Sequence, residues 1–174
     1  IRDRSPSRGL GDVYKRQLQE GDVDAAIPLL EQALELEPGL ARAHFFLGTA
    51  LRSLGEYEAA MSHLETARQA YPRDRVVLGQ IGRLYFLQRQ FEEAISTFEE
   101  VLRIDPEDLL AHYNLMLSYQ GVGDSERAAA EQVLYELFKA DEAAQAITGP
   151  YRLASPEDNN ERQSIHEHGT PPGL

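Results

Sequence analysis

Gly55-Glu56-Tyr57-Glu58-Ala59-Ala60 decides the fold, because the same pattern returns in register every 34 residues. Gly21-Asp22-Val23-Asp24-Ala25-Ala26 lies one period before it. Arg89-Gln90-Phe91-Glu92-Glu93-Ala94 and Gly123-Asp124-Ser125-Glu126-Arg127-Ala128 lie one and two periods after it. Pro38, Pro72 and Pro106 keep the same spacing. Ala26, Ala60, Ala94 and Ala128 therefore occupy one equivalent site, Leu30, Leu64 and Phe98 another, Leu47, Ile81 and Leu115 a third, and Gly48 and Gly82 a fourth. A fixed repeat of this length marks a stacked helical array rather than an enzyme domain with one central core.

Each unit reads as two helices. From Ala41 to Leu54 the apolar residues recur three and four apart, which gives one apolar stripe. Gly55 ends that helix as a C-terminal cap. A second amphipathic run, Tyr57 to Ala70, turns Ala60, Met61, Leu64 and Ala67 inward, and Pro72 stops it by lacking an N–H and disfavouring helix before it. The pattern repeats in Arg75–Gln88 with Phe91–Ile104, and in Leu109–Gln120 with Ser125–Phe138. Gly48, Gly82 and the four alanines let helices approach closely, while Leu47, Leu51, Leu64, Tyr85 and Phe98 fill the space between them.

Leu47-Gly48 with Leu51, Gly55-Glu56-Tyr57, Ala60, Leu64, Ala67 and Pro72 resemble the tetratricopeptide repeat. So do Ile81-Gly82 with Tyr85, Phe91, Ala94, Phe98 and Pro106 one period on. The resemblance runs from about Leu18 to Lys139. It implies an all-α, right-handed solenoid of antiparallel helix pairs, about three and a half repeats long, with the first helix of each pair lining a concave groove. The units divide as 18–38 (second helix only), 39–72, 73–106 and 107–147. The last unit departs from the pattern. Met116 replaces the glycine, Gln132 the large apolar residue and Ala140 the proline, so a longer capping helix is predicted there.

Residues 1–17 lack the apolar pattern and resemble the translated sequencing adapter found in some metagenomic gene calls. They are expected to be a non-native leader, irregular or disordered, on a fragment whose upstream sequence is missing. The helix near Val23–Leu36 would then expose apolar surface for want of its partner. The stretch 148–174 is punctuated by Gly149-Pro150, Ser155-Pro156 and Pro171-Pro172-Gly173, and reads as an extended or disordered polar tail. His166-Glu167-His168 is an incomplete metal site.

The net charge is −12, from 17 basic and 29 acidic residues, which argues against general nucleic-acid binding. With no cysteine, disulfides and thiolate metal sites are excluded. No apolar run approaches membrane-spanning length. The phosphate-loop, HExxH, GxSxG and dinucleotide-fingerprint patterns are all missing. Gly121-Val122-Gly123 reads as a turn, Glu92-Glu93 and Glu99-Glu100 as solvated charge, and His44 and His112, at equivalent sites, as packing or hydrogen-bonding residues. No catalytic residue, cofactor or metal is therefore assigned.

The resemblance implies a partner-binding groove lined by Arg42, Phe45, Thr49 and Arg52, then Arg83 and Phe86 beyond Gly79, then Tyr113, Asn114 and Leu117. This mixture is aromatic and cationic on an acidic chain, and arginine and aromatic residues are common binding anchors. The lysine–asparagine clamp of chaperone-linked family members is missing, with Phe45, Phe46, Thr49, Val76 and Gln80 at the corresponding places. The expected function is a non-catalytic scaffold that binds a protein or peptide segment. The alternative is a repeat appendage of a larger multidomain protein, a periplasmic or redox protein being one form of it, whose functional module lies upstream and is missing.

Overall fold

The computed structural model describes Val13, Tyr14, Arg16, Gln17 and residues 21–154, with side chains to Ala140. Among the described residues seven longer helices follow one another: α1 (Val23–Leu36), α2 (Ala41–Ser53), α3 (Tyr57–Ala70), α4 (Arg75–Leu87), α5 (Phe91–Ile104), α6 (Leu109–Val122) and α7 (Ser125–Ala154). No strand occurs among the described residues. The chain divides into two compact units, Ile1–Tyr135 and Glu136–Leu174. In the first unit α2 pairs with α3 and α4 with α5, and each helix packs on the next from α1 to α6. The first helices of neighbouring pairs also touch, α2 against α4 and α4 against α6. The fold is an all-α solenoid of repeated helix pairs.

The tightest packing occurs where a glycine faces a large side chain. A methyl group placed on Gly82 would lie 2.8 Å from Cζ of Phe98, and one on Gly48 would lie 2.7 Å from Cγ of Leu64. Ala60, Leu64, Ala94 and Phe98 are accordingly buried. The last pair reverses the sizes, with half-buried Met116 and exposed Gln132 at the equivalent sites.

Every first helix ends in the same way. The N–H of Glu56 donates to the Leu51 carbonyl (3.0 Å), that of Gln90 to Tyr85 (2.9 Å) and that of Asp124 to Tyr119 (2.9 Å). Between the bonded ends one residue takes a left-handed conformation: Gly55 at φ 84°, Arg89 at φ 61° and Gly123 at φ 80°. This is the αL helix terminus that glycine supplies without a Cβ clash. Helix starts are held by Asp22, Asp74 and Asp108, whose carboxylates accept backbone N–H groups of the first turn. Arg75 at the head of α4 pairs with Asp105, which ends α5, and with Asp108, which begins α6, and so ties one repeat to the next.

Two boundaries differ from the sequence reading. Val13, Tyr14, Arg16 and Gln17 are helical, and Tyr14 is only 2% exposed, in one cluster with Leu30, Ala33 and Leu47. Its ring lies 5.6 Å from that of Phe46. Asp22 donates to the Gln17 carbonyl (2.9 Å) beside Gly21 at φ 79°, so this stretch ends like every other first helix. The end of the leader therefore stands where the sequence reading leaves α1 without a partner. The physical reason is position: Tyr14 falls one period before Gly48, at the site that faces the second helix. The other departure is α7, which passes Ala140 as expected but continues through Gly149-Pro150 to Ala154. His166 and His168 lie outside the described residues.

Arg89 carries the left-handed conformation that glycine holds at the equivalent sites, at a steric cost of about 1–2 kcal/mol. Its guanidinium sits 5.9 Å from the Phe91 ring centroid, a contact that offsets about 0.5–1 kcal/mol. Arg89→Gly is expected to stabilise the fold by up to about 1 kcal/mol, read as a raised melting midpoint in circular dichroism. A lowered midpoint would contradict this account of the turn.

Candidate binding face

Among the described residues, two depressions open on the face formed by α2, α4 and α6. The larger, about 330 Å³, lies between α2 and the start of α4. Arg42, Phe45 and Phe46 form one side, and Tyr71, Val76 and Val77 the other. Tyr71 and Val76 are more than half exposed, at 55% and 51%, so this cleft offers apolar surface to a visitor. Phe45 and Phe46 meet edge to face at 5.3 Å, and the Arg42 guanidinium lies 5.9 Å from the Phe46 ring centroid. The smaller depression, about 80 Å³, is bounded by Gly79, Gln80 and Arg83 of α4 and by Leu110 and Asn114 of α6.

Beyond the larger cleft, α2 and α4 each present an arginine. Arg52 and Arg83 are both half-buried, and neither forms an ion pair with a described residue. Burial lowers the pKa of Arg52, the positive charge of Arg83 lowers it further, and Tyr57 opposes the shift. The Nε of Arg52 is buried without a hydrogen-bond partner, as is Oε1 of Gln80. Two cations held close together and partly out of water repel each other unless an anion joins them.

The residues expected to line a groove thus fall into two sets. Arg42, Phe45, Arg52 and Arg83 face open or uncompensated surroundings. The others are engaged by the fold. The Thr49 hydroxyl donates to the Phe45 carbonyl at 2.9 Å. Phe86 packs on Phe91 with ring centroids 5.6 Å apart. Asn114 is buried, and its Nδ2 donates to the Leu110 carbonyl at 2.6 Å. The Tyr113 ring lies 5.4 Å from that of Tyr135, and Leu117 is half-buried. Tyr71 was missed as a lining residue, although an aromatic residue just before the turn proline was a visible signal. Phe46, Val76 and Gln80 were read only as positions where a clamp is missing.

The two equivalent histidines use one slot with different neighbours. The Nε2–H of His44 donates to the Pro38 carbonyl (2.9 Å), and that of His112 to the Pro106 carbonyl (2.9 Å). A carbonyl only accepts, so in a neutral ring Nδ1 is left as an acceptor. For His44 this fits, because Nδ1 meets Nδ1 of His63 at 2.8 Å, where His63 supplies the proton. For His112, Nδ1 meets the Glu131 carboxylate at 2.7 Å, so it must donate there as well, and the ring is favoured as imidazolium. In each case both ring nitrogens face groups of the fold itself. Among the described residues no group of three or more His, Asp or Glu could hold a metal.

Fold and face together define an α-helical repeat protein that presents a surface along its first helices. Residues 17–84 match the family model described as tetratricopeptide repeat, and residues 82–123 match that described as TPR repeat. The chain belongs to the tetratricopeptide repeat family. Crystal structures of MamA share the fold: one superposes with a TM-score of 0.74 at 22% identity, covering 82% of this chain and 83% of that one. A second, MamA 41-end from Desulfovibrio magneticus RS-1, gives 0.74 at 22% identity, covering 80% and 78%. Among curated relatives, the peroxisomal targeting signal receptor of Kluyveromyces lactis is 28% identical over 146 residues, 84% of this chain and 25% of that protein. The anaphase-promoting complex subunit CDC16 of Saccharomyces cerevisiae is 26% identical over 116 residues, 63% of this chain and 14% of that one. The chain thus spans only a small part of the length of these relatives.

The histidine contacts give opposite pH signatures. Burial alone would lower the pKa of His112, but the bonds to Glu131 and Pro106 and the charges of Glu131 and Asp108 outweigh it and raise the value above 6.5. Stability from this contact is full below the unfolded value and is lost as pH rises through the raised folded value. Burial lowers the pKa of His63, the charge of His44 adds to this, and Glu31 opposes it. That contribution is full above 6.5 and is lost as pH falls through the lowered value. Melting midpoints followed from about pH 5 to about pH 9 should show Glu131→Gln removing the alkaline-side loss and His63→Leu removing the acid-side loss. Parallel curves for all three proteins would contradict the assignment.

Proposed function

We propose that this chain is a protein-interaction scaffold that holds a partner segment of extended conformation against the face of α2, α4 and α6. The observation that carries the reading is the half-buried pair Arg52 and Arg83, neither of which has a carboxylate partner among the described residues, on a chain of net charge −12. An acidic partner would relieve their repulsion, and an arginine fork pairs with carboxylate in two-pronged fashion. The exposed apolar cleft beside Phe45 adds the desolvated anchor point that protein interfaces use. Family membership supports the same reading, and the name of one relative describes it as a receptor for a targeting signal. No chemical step is assigned to the chain.

The test is selection of a random linear peptide library on the immobilised chain, followed by binding to an Arg52→Glu/Arg83→Glu variant that melts normally. Selected peptides should be rich in acidic residues and lose at least about tenfold in affinity for the variant, equivalent to about 1.4 kcal/mol. Equal binding to both proteins would remove the face from this role.

A further inference from the structure

Accepting that reading, we infer that the face recognises a short linear motif in which a large apolar residue and an acidic residue stand three positions apart in a polyproline-type segment. The geometry comes from two helices with matched offsets. Phe45 and Arg52 are seven residues apart on α2, and Val76 and Arg83 are seven apart on α4. Residues at that offset lie on one helical face, two turns apart, at a separation of about 10 Å. The first helices touch, so the apolar cleft and the arginine pair are two stations on one face, and the helical rise of about 10 Å is taken as their separation.

The occupant follows from matching that separation to chain geometry. A polyproline II segment rises about 3.1 Å per residue with three residues per turn, so positions i and i+3 lie on the same side, about 9 Å apart. A β-strand alternates its side chains, which sends i and i+3 to opposite sides. An α-helix would need i and i+7, but its body is about 10 Å across. A cleft of about 330 Å³ has room for an aromatic side chain and its neighbours, and the helical pair seven positions apart is the competing occupant that the experiment separates. Phe45, Phe46, Tyr71 and Val76 give the cleft its apolar wall, with Arg42 and Asp74 also lining it, and that wall selects the apolar residue. Arg52 and Arg83 select the carboxylate by charge, because neither has an acidic partner within the described fold. The carboxylate is that of an internal side chain, so a free C-terminus is not required.

The experiment measures fluorescence anisotropy of labelled, amide-capped, proline-rich peptides titrated with the full chain. Each peptide carries one Phe and one Glu, separated by two, three or four positions in either order. An alanine-based helical peptide carries the pair seven positions apart. The three-position peptide in one of the two orders is expected to bind at least about tenfold more tightly than the other proline-rich spacings. It should lose binding to Arg52→Glu/Arg83→Glu, and replacing its Glu by Lys should restore binding to that variant. Affinity independent of spacing, or tightest binding by the helical peptide, overturns the motif. Where library-selected peptides bind in an arginine-dependent way but lack the three-position motif, this inference fails and the scaffold reading stands. Where no peptide of either kind depends on the arginines, both fail.

Discussion

The backbone of α4 passes so close to the Phe98 ring that Gly82 has no room for even a methyl group. The same constraint recurs one repeat earlier between Gly48 and Leu64. Interiors are packed to crystal-like density, so the missing side chain on one helix is the space the large residue on its partner fills. This contact sets how near the two helices of a pair lie. Each pair then leans on the next, and the first helices α2, α4 and α6 come into line. The candidate binding face is a consequence of that alignment, not of any single loop.

Most of the fold was legible because every repeat meets the same constraints and answers them with the same residue types. Apolar spacing gave the helices, and their bounds agree with the expected spans to within a residue or two from Ala41 to Ile104. The left-handed turn residue appears at the equivalent site throughout, even where arginine replaces glycine. Tyr14 was not legible, because a lone tyrosine in an unpatterned stretch gives no period to detect, yet one well-placed ring suffices to cover Leu30. The extent of α7 was not legible either. A glycine–proline step weakens a helix without compelling it to stop, and α7 continues through it.

The face was legible in outline and not in detail. Helical periodicity says which side chains project from one side of α2 or α4, but not which of them the fold then engages. Asn114 bonds back to its own helix, and Phe86 finds Phe91, whereas Arg52 and Arg83 find no carboxylate among the described residues. The histidines show the same limit. His44 and His112 are equivalent in sequence, and only the structure shows that the residue opposite is His63 in one slot and Glu131 in the other.

The most direct measurement of this account is a nuclear Overhauser spectrum of the isotopically labelled chain in solution, read at the Gly82 α-protons. Close approach of α4 to the Phe98 ring predicts strong cross-peaks between those protons and the Phe98 aromatic protons, together with a ring-current shift of the Gly82 resonances. Gly82 α-protons at ordinary shifts, with no cross-peak to Phe98, would contradict the packing on which the stacked pairs and their binding face depend.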